Sequence, residues 1–435
     1  PARKDEDRDA VVARHRLSAP AAPPVWRVNA GSRIMLTVQN ALSATLADSP
    51  GDALLPRITS INVDDPQAGR SHDIGSTPTI SFALPVLPQV PATQSGNFIG
   101  SSDRPLPADG RAVDAPFEFQ ANYYAGLVDM ELQRTAGGKP DCNRRDTDGT
   151  RPCRYEANGR PYAYGPLPLK PTGDMFGHLA HGLFGGVIIE PEGARVYNPA
   201  DGLALVDQPG TGVKETFAQG QPAAAIVCTG AGSETGPVTA VANCAGGKGF
   251  REFVLFYQDG LNLHRAGQNG GSVPVSDCTI CDDSYDRGEK GVSYRSEPFW
   301  ARLAKEDGAI SEQTNLNLRQ FPPDFFATSN GMIATPTFTA KAGETVKFRV
   351  IQPGGRARQR AFRVTSVDYP DTLPFAIDAN GDETTRFGSP ASELMAPGKA
   401  ITATATCVRE GTYLYHDGPT HLFSGGVWGH FVVEP

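Results

Sequence analysis

The last part of the chain carries three residues whose types and spacing could bind a metal ion. His416, Asp417 and His421 lie within six consecutive positions. Two imidazoles and a carboxylate form an N/O ligand set that suits a divalent ion such as Cu(II) or Zn(II). The alternative is that these imidazoles are packed, hydrogen-bonded side chains without a metal. The residues alone leave both interpretations open.

Other catalytic signatures are missing from the sequence. It contains no G-x-S-x-G, no P-loop and no G-x-G-x-x-G. Serine hydrolases, NTPases and dinucleotide-binding enzymes therefore lack support. We expect no nucleotide or flavin cofactor.

The composition indicates which elements must position the candidate residues. Glycine and proline number 48 and 37 among 435 residues, which disfavours a mostly helical protein and suits short strands joined by turns. With 21 Phe and 12 Tyr, the chain can still bury sizeable cores. A net charge of −8 without a long basic stripe argues against nucleic acid as a partner. No apolar run reaches the ~18 residues of a membrane span.

Two pairs of similar segments indicate an internal repeat. Each copy opens with a turn followed by alternating apolar residues, at 30–40 and 342–350, and this pattern predicts a strand. Each copy closes with a Gly-rich apolar segment, GLFGGVIIEP at 182–191 and GVWGHFVVEP at 426–435. The first copy is longer by about 68 residues, which we assign to an insertion at about 84–171. A repeat with these markers predicts two similar domains.

We therefore predict an all-β chain with two β-sandwich domains and long loop insertions. The predicted boundaries are a charged, Pro-rich N-terminal arm at 1–24, a first domain at 25–200, a linker with a disulfide loop at 201–249 and a second domain at 250–435.

The seven cysteines indicate the compartment. Cys142 and Cys153 bracket one polar loop, and Cys228 and Cys244 bracket another. Pairs that close short loops are typical of disulfides in an oxidising compartment, so we expect a secreted or periplasmic protein. Cys278, Cys281 and Cys407 are left without an assigned pairing. The chain begins at Pro1 without a signal peptide, and we take it as processed or truncated.

Several of these segments resemble the cupredoxin domains of the multicopper oxidase superfamily. They are the two opening strands, REFVLFYQD at 251–259, the A-P-G-K turn at 396–399, the G-x-Y-x-Y-H strand at 411–416 and the two closing segments. The chain most resembles the two-domain unit of two-domain laccases and of manganese-oxidase-type proteins. The resemblance implies two cupredoxin-like Greek-key sandwiches and copper as the cofactor.

The copper ligands that this resemblance implies are largely absent. The family places the thiolate of its blue-copper site directly after the histidine of the G-x-Y-x-Y-H strand, where this chain has Asp417. In the first repeat we take 173–178 as the equivalent strand, and it also lacks a cysteine. The trinuclear centre needs His-x-His pairs, and the sequence has none among its eight histidines. A standard multicopper oxidase mechanism is therefore excluded by ligand type and number.

Fragments of the family's ligand set remain. His178, His181 and Leu183 match the H-L-x-x-G-(Leu/Met) segment, which puts His178 in the place of a copper imidazole and Leu183 in the axial place. The second repeat has the corresponding segment from His421, one residue longer. The candidate metal ligands are therefore His416, Asp417, His421, His178 and His181, for none or one copper per chain.

Two functions follow from these observations. The first is a secreted multicopper-oxidase-like protein without type 1 and trinuclear copper centres, acting as a structural or binding component of an extracellular assembly. Its partners would be other protein chains, in a homo-oligomer or a larger complex. The alternative is a copper-dependent oxidoreductase that uses a non-standard mononuclear, type-2-like copper.

Overall fold

The fold consists of many short β-strands and two one-turn helices, as seen in a computed structural model of the chain. The structure describes residues 22–39, 58–59, 71–72, 82–89, 118–142, 153, 155–172, 177–180, 182–205, 221–258, 264–266, 272–274, 290–299, 302, 324–328, 333–354, 360–367, 375–378, 386–389, 395–406, 408–418 and 421–435. In these residues no helix is long and apolar enough to cross a membrane.

The first half contains ten strands around one apolar core. They are β1 (Val25–Asn29), β2 (Arg33–Gln39), β3 (Ile58–Thr59), β4 (Ser71–His72), β5 (Phe82–Ala83), β6 (Glu118–Tyr124), β7 (Gly126–Leu132), β8 (Tyr155–Pro161), β9 (Gly165–Pro171) and β10 (Gly185–Glu190). The main sheet has the order β1-β10-β9-β5, and β2 pairs with β6. Alternate residues of these strands point into the core that the two sheets share, among them Leu167, Val187 and Ile189 with Tyr123.

The second half contains fourteen strands. They are β11 (Arg195–Tyr197), β12 (Ala224–Cys228), β13 (Gly249–Gln258), β14 (His264–Ala266), β15 (Ser272–Pro274), β16 (Gly291–Val292), β17 (Phe338–Lys341), β18 (Val346–Ile351), β19 (Phe362–Ser366), β20 (Phe375–Asp378), β21 (Arg386–Ser389), β22 (Ala400–Ala405), β23 (Gly411–Asp417) and β24 (Trp428–Glu434). One sheet has the order β11-β12-β13-β18-β22-β20-β21, and the other has the order β17-β24-β23-β19. Aromatic and branched side chains from both sheets form a single core.

The helical segments are short. One-turn helices span Gly177–Ala180 and His421–Ser424, each just before the last strand of its half. Two 3₁₀ turns, Val241–Asn243 and Ala245–Gly247, lie in the loop after β12.

The internal repeat is visible in the strand pairing. In the first half β1 runs parallel to β10, and in the second half β17 runs parallel to β24. Each closing strand also has an antiparallel neighbour, β9 for β10 and β23 for β24. The prediction of an all-β chain with two β-sandwiches is therefore confirmed.

One predicted equivalence is wrong. We expected 173–178 to form the strand that corresponds to the G-x-Y-x-Y-H strand, but the neighbour of β10 is β9, and Gly177–Ala180 are helical. Because Gly185 and Gly429 match in the repeat and pair with Leu169 and Tyr415, Lys170 is the counterpart of His416.

The strand pairing also refines where segments belong. β6 and β9 are framework strands of the first sandwich, although both fall within the insertion predicted at 84–171. β11 and β12 extend the larger sheet of the second sandwich, although they fall in the predicted first domain and linker. The two predicted disulfides, Cys142–Cys153 and Cys228–Cys244, are both formed. Cys278, Cys281 and Cys407 lie outside the described residues.

The two sandwiches pack against each other through their sheets. β10 and β13 are buried along their whole length apart from one partly buried end residue of β13, because one face of each lies in its own core and the other meets the opposite sandwich. The apolar part of this contact comprises Val25, Leu179, Phe184, Ile188, Val254, Phe256 and Ile351. The sheets of the two halves therefore form one continuous stack.

Candidate metal-binding residues

Strand β23 determines where the side chains at its end point. Tyr413 and Tyr415 belong to the core of the second sandwich, so strand alternation places Leu414 and His416 on the opposite face. On that face Leu414 packs with Trp428 in a separate aromatic cluster. His416 is buried beside this cluster, with its ring stacked on Phe423 at a centroid distance of 4.3 Å.

Both ring nitrogens of His416 have protein partners. Nδ1 lies 3.1 Å from the backbone oxygen of Asp417, and Nε2 lies 2.8 Å from the hydroxyl of Thr365. A backbone oxygen only accepts, so Nδ1 carries the hydrogen and Nε2 accepts from Thr365. Burial lowers the pKa of His416 to about 4, despite the opposing hydrogen bond to Asp417. The imidazole is therefore neutral at physiological pH, and its one lone pair is used.

The carboxylate of Asp417 is also engaged. It is fully buried, and Oδ1 accepts a hydrogen bond of 2.8 Å from the backbone N–H of Ala361. Oδ2 lies 3.8 Å from Nε of Arg360, which is itself buried. A buried carboxylate needs such an opposite charge to remain ionised. This explains the aspartate at 417 as the partner of Arg360.

An aromatic cover closes this end of the sandwich. It consists of Phe299, Phe325, Phe326, Phe423 and Trp428. The indole N–H of Trp428 donates to the backbone oxygen of Glu297 at 2.7 Å, and His430 Nε2 lies 2.8 Å from the oxygen of Phe326. Arg302 donates to the oxygen of Phe325 at 2.7 Å and lies over the Trp428 ring. The sequence analysis missed this cover; the aromatic runs at 299–300 and 325–326 were its only signal.

The other candidate histidines lie in the two one-turn helices. His178 is buried in the helix Gly177–Ala180, and its backbone oxygen accepts from Leu183 at 2.8 Å. His421 begins the helix His421–Ser424 at the equivalent place in the second half. His181 and the side chain of His421 lie outside the described residues.

The described donor set does not fit a bound metal ion in this arrangement. The lone pair of His416 and both oxygens of Asp417 are directed to protein groups. Within the described residues, no group of three or more His, Cys, Asp and Glu side chains could hold a metal. A metal at His416 and Asp417 would require those contacts to be exchanged.

Sequence reasoning missed a second group of charged residues altogether. Arg27, Glu190, Glu252 and Arg349 meet between the two sandwiches, with all four side chains buried. No local pattern reveals this group, because its members come from four strands spread over more than 300 residues. The only hint was a glutamate at the end of the apolar run VIIE.

Comparison with known proteins adds likenesses of outline. No family model matches the sequence, and no curated protein matches it. A copper nitrite reductase from Nitrosomonas europaea is similar with a TM-score of 0.41 and 11% identity, over 95% of this chain and 84% of that one. A blue copper oxidase from the same organism has a TM-score of 0.41 and 12% identity, over 95% and 77%. A multicopper oxidase has 0.31 and 13%, over 72% of each chain.

These likenesses are low on both measures. The double-sandwich architecture stands on the strand order of this chain, and the chemistry of its sites stands on its own side chains.

Proposed function

We propose that this chain is a secreted, cupredoxin-like protein of the multicopper oxidase type that lacks type 1 and trinuclear copper centres. It acts as a structural or binding component of an extracellular assembly. Its partners are other protein chains, in a homo-oligomer or a larger complex.

The observation that carries this proposal is the closed end of the second sandwich. At the position where a blue-copper site needs a thiolate, the chain has Asp417, and its carboxylate pairs with Arg360. The neighbouring imidazole of His416 is hydrogen-bonded through both nitrogens and stacked on Phe423. These contacts give each residue a packing role that needs no metal.

The disulfides support the extracellular part of the proposal. Cys228–Cys244 is buried and ties β12 to the following loop, and Cys142–Cys153 closes a loop after β7. Such bonds persist in oxidising compartments and are rare in reducing ones.

Copper loading of the purified protein tests the proposal. We expect no stoichiometric copper to remain after loading at micromolar excess and desalting, and no EPR signal from protein-bound Cu(II). One tightly bound copper per chain, with a type-2 EPR signal that disappears in His416→Ala or His421→Ala, would overturn it. His264→Ala is the matched control, because His264 is not a candidate ligand.

A second candidate function is a copper-dependent oxidoreductase with a mononuclear, type-2-like copper. The observation that favours it is the equivalent placement of His178 and His421, each in the one-turn helix before the last strand of its half. The ligands would come from His178, His181, His421, His416 and Asp417. Copper bound by these residues would supply one-electron chemistry on a small substrate.

The loading experiment separates these two functions through the variants. Loss of bound copper in His178→Ala, with retention in His416→Ala, would place the metal in the first half. Light scattering of the protein as isolated tests the assembly proposal, for which we expect a mass above one chain.

A further inference from the structure

Four charged side chains form a buried cluster between the two sandwiches. This inter-sandwich charge cluster consists of Arg27 on β1, Glu190 on β10, Glu252 on β13 and Arg349 on β18. The two strands that carry Arg27 and Glu190 belong to the first half, and the other two belong to the second half. Both glutamates have no exposed surface. The cluster therefore couples the two halves through charges that are out of reach of water.

The two arginines are shared unequally between the two glutamates. Glu252 accepts from Nε of Arg27 at 2.7 Å and from Nε of Arg349 at 2.7 Å. Glu190 receives one longer contact of 3.2 Å, from Nη2 of Arg349 to Oε2. Its other oxygen, Oε1, has no hydrogen-bond partner within the described part of the chain. Glu190 is thus the weakly solvated member of the cluster.

The remaining donors of the arginines are directed elsewhere. Arg27 donates to the backbone oxygens of Pro222 and Ala223 at 2.8 and 3.1 Å. Nη1 of Arg349 donates to the hydroxyl of Thr402 on β22 at 2.7 Å. The geometry therefore leaves Glu190 without the several donors that a buried carboxylate requires.

The two carboxyl groups lie within hydrogen-bonding reach of each other. Two ionised carboxylates only accept, so a hydrogen bond between them requires one proton. The charged groups that act on Glu190 are Glu252, Arg349 and Arg27. Burial and the negative charge of Glu252 raise the pKa of Glu190, and they outweigh the two arginines. Burial opposes the ionisation of Glu252, but Arg349 and Arg27 together lower its pKa.

We propose that Glu190 enters the interface as a neutral carboxylic acid, hydrogen-bonded to Glu252, and that the cluster acts as a proton-dependent clasp between the two sandwiches. Loss of the proton places a second negative charge beside Glu252 in a site without water, which weakens the contact between the halves. The clasp is therefore tighter in mildly acidic than in alkaline surroundings.

The internal repeat supplies a matched control for this residue. Glu434 occupies the position in β24 that Glu190 occupies in β10. Its side chain is 50% exposed and pairs with Lys341, which is equally accessible. The same residue type at the same repeat position is therefore hydrated in one half and buried in the other.

Unfolding by urea as a function of pH tests the proposal on the full chain. A folded state that holds a proton the unfolded chain has released loses stability as pH rises. From about pH 5 upwards, we expect the folding equilibrium constant of the wild type to fall by up to about tenfold per pH unit relative to Glu190→Gln. The amide in this variant carries no titrating proton. Glu434→Gln should keep the pH dependence of the wild type.

Infrared spectroscopy gives an independent measurement on the unaltered protein. At neutral pH we expect the carbonyl band of a protonated carboxylic acid in the wild type and in Glu434→Gln, and its absence in Glu190→Gln. A wild type without this band would overturn the proposal even if Glu190→Gln did not fold. Equal pH dependence of stability in the wild type and Glu190→Gln would also overturn it.

Discussion

Buried histidines in this protein are neutral packing residues with defined hydrogen bonds. Burial lowers the pKa of His430 as it does that of His416, and each ring is fixed by an oxygen atom of the protein. At the residue scale the same rule governs the acids. A carboxylate ionises readily where donors surround it, as at Glu234, and resists ionisation where they do not, as at Glu190.

Glu234 should contribute stability that depends on pH. The hydrogen bonds from Arg195, supported by that from Tyr197, lower the pKa of Glu234 to about 2. A depressed folded-state pKa means that the contribution is complete above the ordinary value of about 4.5 and is lost as pH falls towards 2. We expect Glu234→Gln to lower the free energy of unfolding by about 2 kcal/mol at neutral pH, with the difference shrinking in acid.

Urea unfolding at a series of pH values measures this difference. Glu192→Gln, at an exposed glutamate close in sequence, should follow the wild type throughout. A constant difference between Glu234→Gln and the wild type at all pH values would contradict the assignment.

At the scale of elements, equivalent strands differ in what covers them. β10 and β24 close their halves and have similar sequences, but β10 is buried on both faces. Ile188 has no exposed surface and contacts the opposite sandwich, whereas its counterpart Val432 is partly exposed. The energetic importance of a repeat position is therefore set by the neighbouring half.

Alanine substitutions at this pair of positions should differ in cost. Ile188→Ala removes buried contacts on both sides of the interface and should lower the free energy of unfolding by about 2–4 kcal/mol. Val432→Ala should lower it by about 1 kcal/mol, because part of its surface is already in water. Denaturant unfolding of both variants measures the difference, and equal losses would contradict the stacked arrangement.

The strands that sequence analysis identified have signals within a few residues. The turn at Gly31 or Gly343 followed by alternating apolar residues is such a signal, and it located β2 and β18. β9 was missed because Pro166 and Pro168 weaken the pattern of a strand. They are tolerated since β5 pairs only with its end, which leaves 165–169 as an edge. The partners of His416 and Asp417 could not be predicted, because Thr365 and Arg360 are distant in sequence.

At the scale of the whole molecule, the two sandwiches share one interface with apolar and charged parts. The apolar part joins β10 to β13 and β18, and the charge cluster lies on the same strands. β12 extends the second sheet from the segment between the halves. The molecule is therefore better described as one stack than as two linked domains.

We expect this stack to unfold in a single transition. Neither half can expose its shared sheet without losing buried apolar contacts, so the halves should melt together. Differential scanning calorimetry should give one peak whose calorimetric and van't Hoff enthalpies agree. Two resolved peaks would show that the interface contributes little to stability.

The separation of the interface along the chain has a consequence for biosynthesis. Glu190 and Arg349 are 159 residues apart, so the first sandwich is complete long before its partner strands leave the ribosome. At about 5–20 residues per second, the outer face of β10 waits roughly 10–30 s for its cover. During that time an apolar, partly charged sheet is open to wrong partners. Newly made chains should therefore depend on chaperones during translation, before the second half arrives.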